Sequence, residues 1–176
     1  LSNGNILYKG TTQGALTNEI MKFQMQKTVE EHLKKEIKLQ SKGIKVLSLF
    51  FIDRVANYRQ YDDNGDPVQG KFARWFEEIY SELIKKEAFK SFSNYNIKEV
   101  HNGYFSQDRK GVFKDTSGET LADDDTYSLI MKDKEKLLNI NNPLRFIFSH
   151  SALREGWDNP NVFQICTLNE TKSEMK

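Results

Sequence analysis

The sequence predicts an α/β fold: a mainly parallel, RecA-like sheet flanked by helices, with an inserted hairpin or loop. Three observations carry the α/β part of that reading. Apolar runs of strand length alternate with stretches of helical periodicity, the pattern of repeated strand–helix–strand units. The run Ile44-Lys45-Val46-Leu47-Ser48-Leu49-Phe50-Phe51-Ile52-Asp53 is almost continuously apolar, as strands are when helices cover both sides of a parallel sheet. The length of 176 residues suits one core of ordinary size.

The elements follow in order. Residues 1–16 are a lead-in rich in turn formers (Gly4, Asn5, Gly10, Gly14), with a short strand or a loop at 6–9. Over 17–40 the residues Ile20, Phe23, Val29, Leu33 and Ile37 recur near one helical face, and Gly43 stands where a helix C-cap belongs. The buried strand at 44–53 comes next, and a second helix is expected to run on through Tyr58. Asp62-Asp63-Asn64-Gly65-Asp66-Pro67 is a turn. Residues 72–88 are helical, with Phe72, Trp75, Phe76, Ile79, Tyr80, Leu83 and Ile84 on one stripe. A strand is expected over 97–104, closing in an Asn102-Gly103 turn. The polar, glycine-bearing stretch 105–126 reads as an inserted hairpin or loop. Helix returns over 126–138, and buried strands are expected at 144–149 and 162–168.

Composition removes several function classes. Lysine and arginine total 26 against 25 acids, a net charge of +1, so the chain is no uniformly basic nucleic-acid clamp. A local edge of donors stays open, because steering depends on the distribution of charge. The single cysteine, Cys166, excludes an internal disulfide and a cysteine-rich zinc site, and suits a reducing compartment. The longest apolar stretch, 46–52, falls far short of the roughly 20 residues that span a bilayer. No secretory leader is expected.

In open α/β sheets, ligands bind beyond the carboxyl ends of the strands. The segments after Ile52, Val100 and Phe148 are therefore the places to look. The last is the densest: Ser149-His150-Ser151-Ala152-Leu153-Arg154-Glu155-Gly156-Trp157-Asp158-Asn159-Pro160. Gly156 lets a backbone approach a ligand closely. Asp158 can accept from ribose hydroxyls or arginine. Ser149 and Ser151 can meet phosphate oxygens, and Pro160 fixes the exit into the next strand.

The run from Ala152 to Pro160 resembles motif V of superfamily 2 helicases, whose core is glycine, any residue, aspartate, any residue, proline. The longer run from Phe148 to Phe163 resembles the helicase (Res) subunit of type III restriction enzymes. Three other blocks agree in order: Lys45 to Asp53 as motif IV, His101-Asn102-Gly103-Tyr104, and Ile130-Met131-Lys132-Asp133-Lys134-Glu135. The resemblance spans most of the chain.

It implies the second RecA-like domain of such a motor, over 17–176, as a piece of a larger chain. The phosphate loop G-x-x-x-x-G-K-[ST] is absent, and the arginine-rich motif VI would fall just past Leu168. Catalytic residues are accordingly expected elsewhere in the parent, and the fragment alone is expected to be inactive. By resemblance, Glu155, Gly156 and Asp158 face the nucleotide. Ser149, His150, Ser151, Phe51, Asp53, Arg54, Asn102 and Gly103 are candidates for contact with the DNA backbone. The resemblance further implies ATP and Mg²⁺, double-stranded DNA, a methylating specificity (Mod) subunit, the first RecA-like domain and nuclease of the same chain, and a bacterial cytoplasm. The competing class is a non-catalytic α/β module of helicase ancestry that binds nucleic acid or a protein.

Plainer roles stand beside these. Asp53 can be a helix N-cap. His32, beside Lys34 and Lys35, is expected on a solvated face, and His101 in a surface or packing role. Asp123-Asp124-Asp125 suits a solvated helix start better than a metal site. Trp75 is expected to pack in the core, and Cys166 likewise.

Overall fold

The computed structural model describes residues 14–105, 134–150 and 161–169. Helix α1 (Gly14–Gln40) leads through a turn at Gly43, whose φ of +68° suits glycine, into strand β1 (Leu47–Ile52). A single 3-10 turn (Val55–Asn57) follows, not the longer helix expected there. Strands β2 (Arg59–Tyr61) and β3 (Pro67–Gln69) form a small antiparallel hairpin around the Asp62–Pro67 turn. Helix α2 (Lys71–Ile84), a 3-10 segment (Glu87–Asn94), β4 (His101–Tyr104), α3 (Lys134–Leu138), β5 (Phe146–His150) and β6 (Val162–Leu168) complete the order. The expected insertion at 105–126 and the Asp123-Asp124-Asp125 run lie outside the described residues, except for Phe105.

The main sheet has the order β4-β5-β1-β6, and every pairing in it is parallel. Helices α1 and α2 cover one face and α3 the other, which is a RecA-like α/β arrangement. The first face is aromatic. Phe50 stacks on Phe148 with ring centroids 4.8 Å apart, and Phe76 of α2 meets Phe146 at the same separation. Burying each such ring contributes roughly 1.5–3 kcal/mol. The second face is aliphatic, joining Leu47, Leu49 and Ile147 to Leu137 and Leu144. The α2 stripe is as expected, with Phe72, Phe76, Ile79, Tyr80 and Leu83 buried and Trp75 half-buried against the same core.

The register of α1 departs from the expected one. Its buried row is Met21, Met25, Val29 and Leu33, while Ile20 and Phe23 are 52% and 59% exposed and Ile37 is exposed too. His32 and Glu36, expected on the wet side, are buried in line with that row. The reason is a polar network across the amino-terminal ends of β1 and β5. Arg145, fully buried, donates from Nε to Glu36 Oε1 at 2.8 Å, and also donates to the Tyr95 hydroxyl and the Asn142 and Pro143 carbonyls. Its guanidinium lies over the Tyr95 ring, 4.2 Å from the centroid. His32 Nε2 lies 3.0 Å from Glu36 Oε2, and His32 Nδ1 lies 2.8 Å from Ser48 Oγ. Burial drives the Glu36 carboxyl pKa up, but the His32 hydrogen bond and the Arg145 charge outweigh it and hold the value low. Burial keeps His32 below its ordinary value against the pull of Glu36.

Lys45, also buried, donates to the Leu137 and Asn142 carbonyls at 2.7 and 2.8 Å. It thereby satisfies an orphan carbonyl at the end of α3. Burial, with Arg145 beside it, pushes its pKa down to about 7.

Candidate functional site

Parallel pairing brings the carboxyl ends of all four strands to one rim. In register, Phe51 lies beside Ser149 and Thr167, Tyr104 beside Ser149, and Ile52 beside His150 and Leu168. Five expected site residues, Phe51, Asp53, Arg54, Ser149 and His150, therefore gather at this edge although about a hundred residues separate them in the chain.

Their environments differ. Arg54 is exposed just past β1. Asp53 accepts a hydrogen bond from Asn57 Nδ2 at 2.9 Å, so it ties the loop together across the 3-10 turn. The N-cap position of that turn is held by Arg54, which makes no side-chain cap bond, and not by Asp53 one residue earlier. Phe51 is half-buried on the aliphatic face, and Ser149 is buried between its register neighbours. Asn102 and Gly103 lie within β4 and not in a closing turn. The Asn102 side chain accepts from the Gly103 amide at 2.8 Å. A Cβ on Gly103 would lie 2.2 Å from the Phe105 ring and 2.8 Å from the Tyr58 ring, so close packing explains that glycine. Ser151, Glu155, Gly156 and Asp158 lie outside the described residues, as does the side chain of His150.

Sequence reading missed the support beneath the rim. Tyr58, just after the 3-10 turn, meets His101 Nδ1 at 2.9 Å, and His101 Nε2 lies 3.4 Å from Glu77 Oε1 on α2. Gln69 of the hairpin donates to the same Glu77 oxygen. Burial raises the Tyr58 pKa and lowers that of His101, although Glu77 pulls His101 the other way. Both groups are thus neutral near pH 7, and the chain of contacts serves as a brace. It fixes the loop bearing Asp53 and Arg54 against β4 and α2. Gly70 closes the hairpin base: its amide donates to the Tyr58 carbonyl at 2.8 Å, and a Cβ there would lie 2.4 Å from the Asn57 carbonyl. Spacing alone could not have paired Tyr58 with His101, since no local period links positions so far apart.

The segment carrying Gly156 and Asp158 leaves β5 at the rim and re-enters the described structure at Asn161. There the Leu47 amide donates to the Asn161 carbonyl at 2.8 Å, and the Asn161 side chain donates to the Lys45 carbonyl at 2.9 Å. Among the described residues, no group of three or more histidine, cysteine, aspartate or glutamate side chains could hold a metal ion. No helix among them is long and apolar enough to cross a membrane.

A four-stranded parallel sheet, covered by helices on both faces and presenting polar loops at one rim, defines a RecA-like α/β domain. The chain is a relative of the Res subunits of type III restriction-modification enzymes. It is 43% identical over 157 residues to the EcoP15I Res subunit of Escherichia coli and to the EcoPI Res subunit of Escherichia phage P1, matches that cover 85% of this chain. It is 35% identical over 161 residues, 74% of the chain, to the StyLTI Res subunit of Salmonella typhimurium strain LT2. The matched part spans only 16%, 16% and 14% of those relatives, about a sixth of their length. No family model matches the chain, and no solved structure matches it.

Proposed function

We propose that the chain is the second RecA-like domain of an ATP-dependent DNA translocase subunit of a type III restriction enzyme. In this reading it lends one wall to the ATP cleft and a contact surface to the DNA backbone. The observation that carries the proposal is the 43% identity to Res subunits over 85% of the chain. The gathering of the motif IV end and the motif V lead-in at one rim supports it.

Each residue then has a role suited to its chemistry. Glu155, Gly156 and Asp158 face the nucleotide, with Asp158 near the ribose hydroxyls. Arg54, exposed at the rim, pairs with a phosphate, and Ser151 and His150 add further donors to the same backbone. Such contacts hold a duplex without reading its sequence, which suits a motor that must move along any sequence. Ser149 is buried and Gly103 is packed against two rings, so both shape the rim from below. Phosphoryl transfer also needs Mg²⁺, an oriented water and cations at the γ-phosphate. Those groups are assigned to the remainder of the parent subunit, with its first RecA-like domain and nuclease. Site recognition is assigned to a Mod partner, and the setting to the bacterial cytoplasm.

The test is Asp158→Ala in the intact parent subunit. ATP-driven translocation should fall while thermal unfolding of the subunit stays unchanged. Normal translocation by this variant would remove Asp158 from the nucleotide site. The 176-residue chain alone should hydrolyse no ATP and cut no DNA, and ATPase activity in a rigorously purified sample would overturn the division of roles.

A further inference from the structure

Arg54 enters its turn in extended backbone, with φ −143° and ψ 133°. Its carbonyl accepts from the Asn57 amide at 3.1 Å, and the Val55 carbonyl accepts from the Tyr58 amide at 2.8 Å. With the bond between the Asp53 and Asn57 side chains, these contacts fix the shape of the loop 53–58. They do not fix how the loop is aimed relative to the sheet. That is set where the loop enters the core, through Val55 and Tyr58.

Tyr58 does more there than fill space. Its ring packs against Phe148 of β5 and against Phe105, with centroids 4.7 and 5.5 Å away. A phenylalanine would serve that packing. The hydroxyl instead meets His101 Nδ1 at 2.9 Å, where both side chains are buried. A buried polar group costs stability unless it is paired, so an apolar contact would hold the fold more simply. The polar chain adds direction. A hydroxyl that donates to Nδ1 leaves the imidazole proton on Nε2, which lies 3.4 Å from Glu77 Oε1. The same oxygen accepts from Gln69 of the hairpin. One line of donors thus links the loop, β4, α2 and the hairpin. A packed ring can tilt with little loss, whereas a hydrogen bond weakens steeply as its angle fails.

Such stiffness bears on binding. Arg54 is the one cation of the loop 53–58, and it is exposed. A long side chain that must meet a phosphate loses less freedom on binding when the backbone beneath it is already ordered.

We infer that Tyr58, His101 and Glu77 are positioning residues for the grip of Arg54 on the DNA backbone. The inference rests on the reading of Arg54 as a phosphate contact, and adds to it three residues that act from behind the rim.

Affinity of the intact parent subunit for a random-sequence duplex tests it, in a double-mutant cycle. Tyr58→Phe removes one oxygen and keeps the ring. It should weaken binding about threefold to tenfold, the worth of one hydrogen bond. In an Arg54→Ala background the same change should alter affinity by less than about twofold, because the contact it serves is gone. At the other end of the chain, Glu77→Leu and Glu77→Gln change the charge equally, but glutamine keeps a carbonyl acceptor for His101. Glu77→Gln should therefore bind about threefold more tightly than Glu77→Leu. Equal losses from Tyr58→Phe with and without Arg54 would show a general weakening of the fold and overturn the inference. So would Tyr58→Phe without effect while Arg54→Ala weakens binding, or equal binding by the two Glu77 variants. If Arg54→Ala itself leaves affinity unchanged, the phosphate reading fails first and the positioning roles fall with it.

Discussion

Arg145 and Glu36 form an ion pair at 2.8 Å with both side chains buried, one entering β5 and the other on α1. Removing one partner leaves a charge in the core, which typically costs about 3–5 kcal/mol. Arg145→Met and Glu36→Leu should each lower stability on that scale in urea titrations. The double variant should lose clearly less than the sum, because it strands no charge. Additive losses would show that the pair does not act as a unit.

Stability should fall as the pH falls from 9 to 5. The free side chains titrate near 10.5 for lysine and 6.5 for histidine. Burial holds Lys45 at about 7 and both His32 and His101 below 6.5. A depressed folded pKa means that the unfolded chain binds the proton first, so each group favours folding above its unfolded value and loses that contribution as the pH drops towards its folded one. The Lys45 share is lost between 10.5 and about 7, and the histidine share below 6.5. Urea midpoints measured across this range should decline, and Lys45→Met should flatten the upper part. A midpoint that rises on acidification would contradict the assignment.

Gly103→Ala should destabilise the domain by about 1–3 kcal/mol, through overpacking against Phe105 and Tyr58. Gly43→Ala meets nothing within 4 Å and should cost about 1 kcal/mol, from its positive φ alone. Thermal unfolding of the two variants separates steric from conformational demand. Equal losses would leave the packing argument without support.

Arg54→Ala in the intact subunit should weaken DNA binding uniformly across sequences. The slope of log affinity against log salt should shrink by about 1, the mark of one lost phosphate contact. An unchanged slope would place Arg54 away from the backbone.

Strand identity was legible from apolar composition, and the run 44–53 declared its burial as well; 162–168 is a strand too, but only Cys166 and Leu168 in it are buried, because it pairs with β1 on one side of the described sheet. The α1 register was not legible. Ile20 and Phe23 look like core residues and His32 and Glu36 like surface residues until Arg145, far along the chain, supplies the charge that draws Glu36 inward. The rim residues near Asp53 and His150 could be named from motif position. Their support through Tyr58, His101 and Glu77 could not, because those contacts cross three elements with no shared period. Asn102-Gly103 has the look of a turn, yet that glycine answers to two aromatic rings.

The pairing order also sets a timetable. Strand β1 bonds only to β5 and β6, whose residues follow about a hundred positions later. A ribosome adding roughly 5–20 residues per second leaves this apolar strand without neighbours for about 5–20 seconds. Contacts so distant along the chain also slow spontaneous folding. The newly made polypeptide thus holds this apolar strand unpaired while about a hundred further residues are added, which makes it a natural client for chaperones that shield nascent chains.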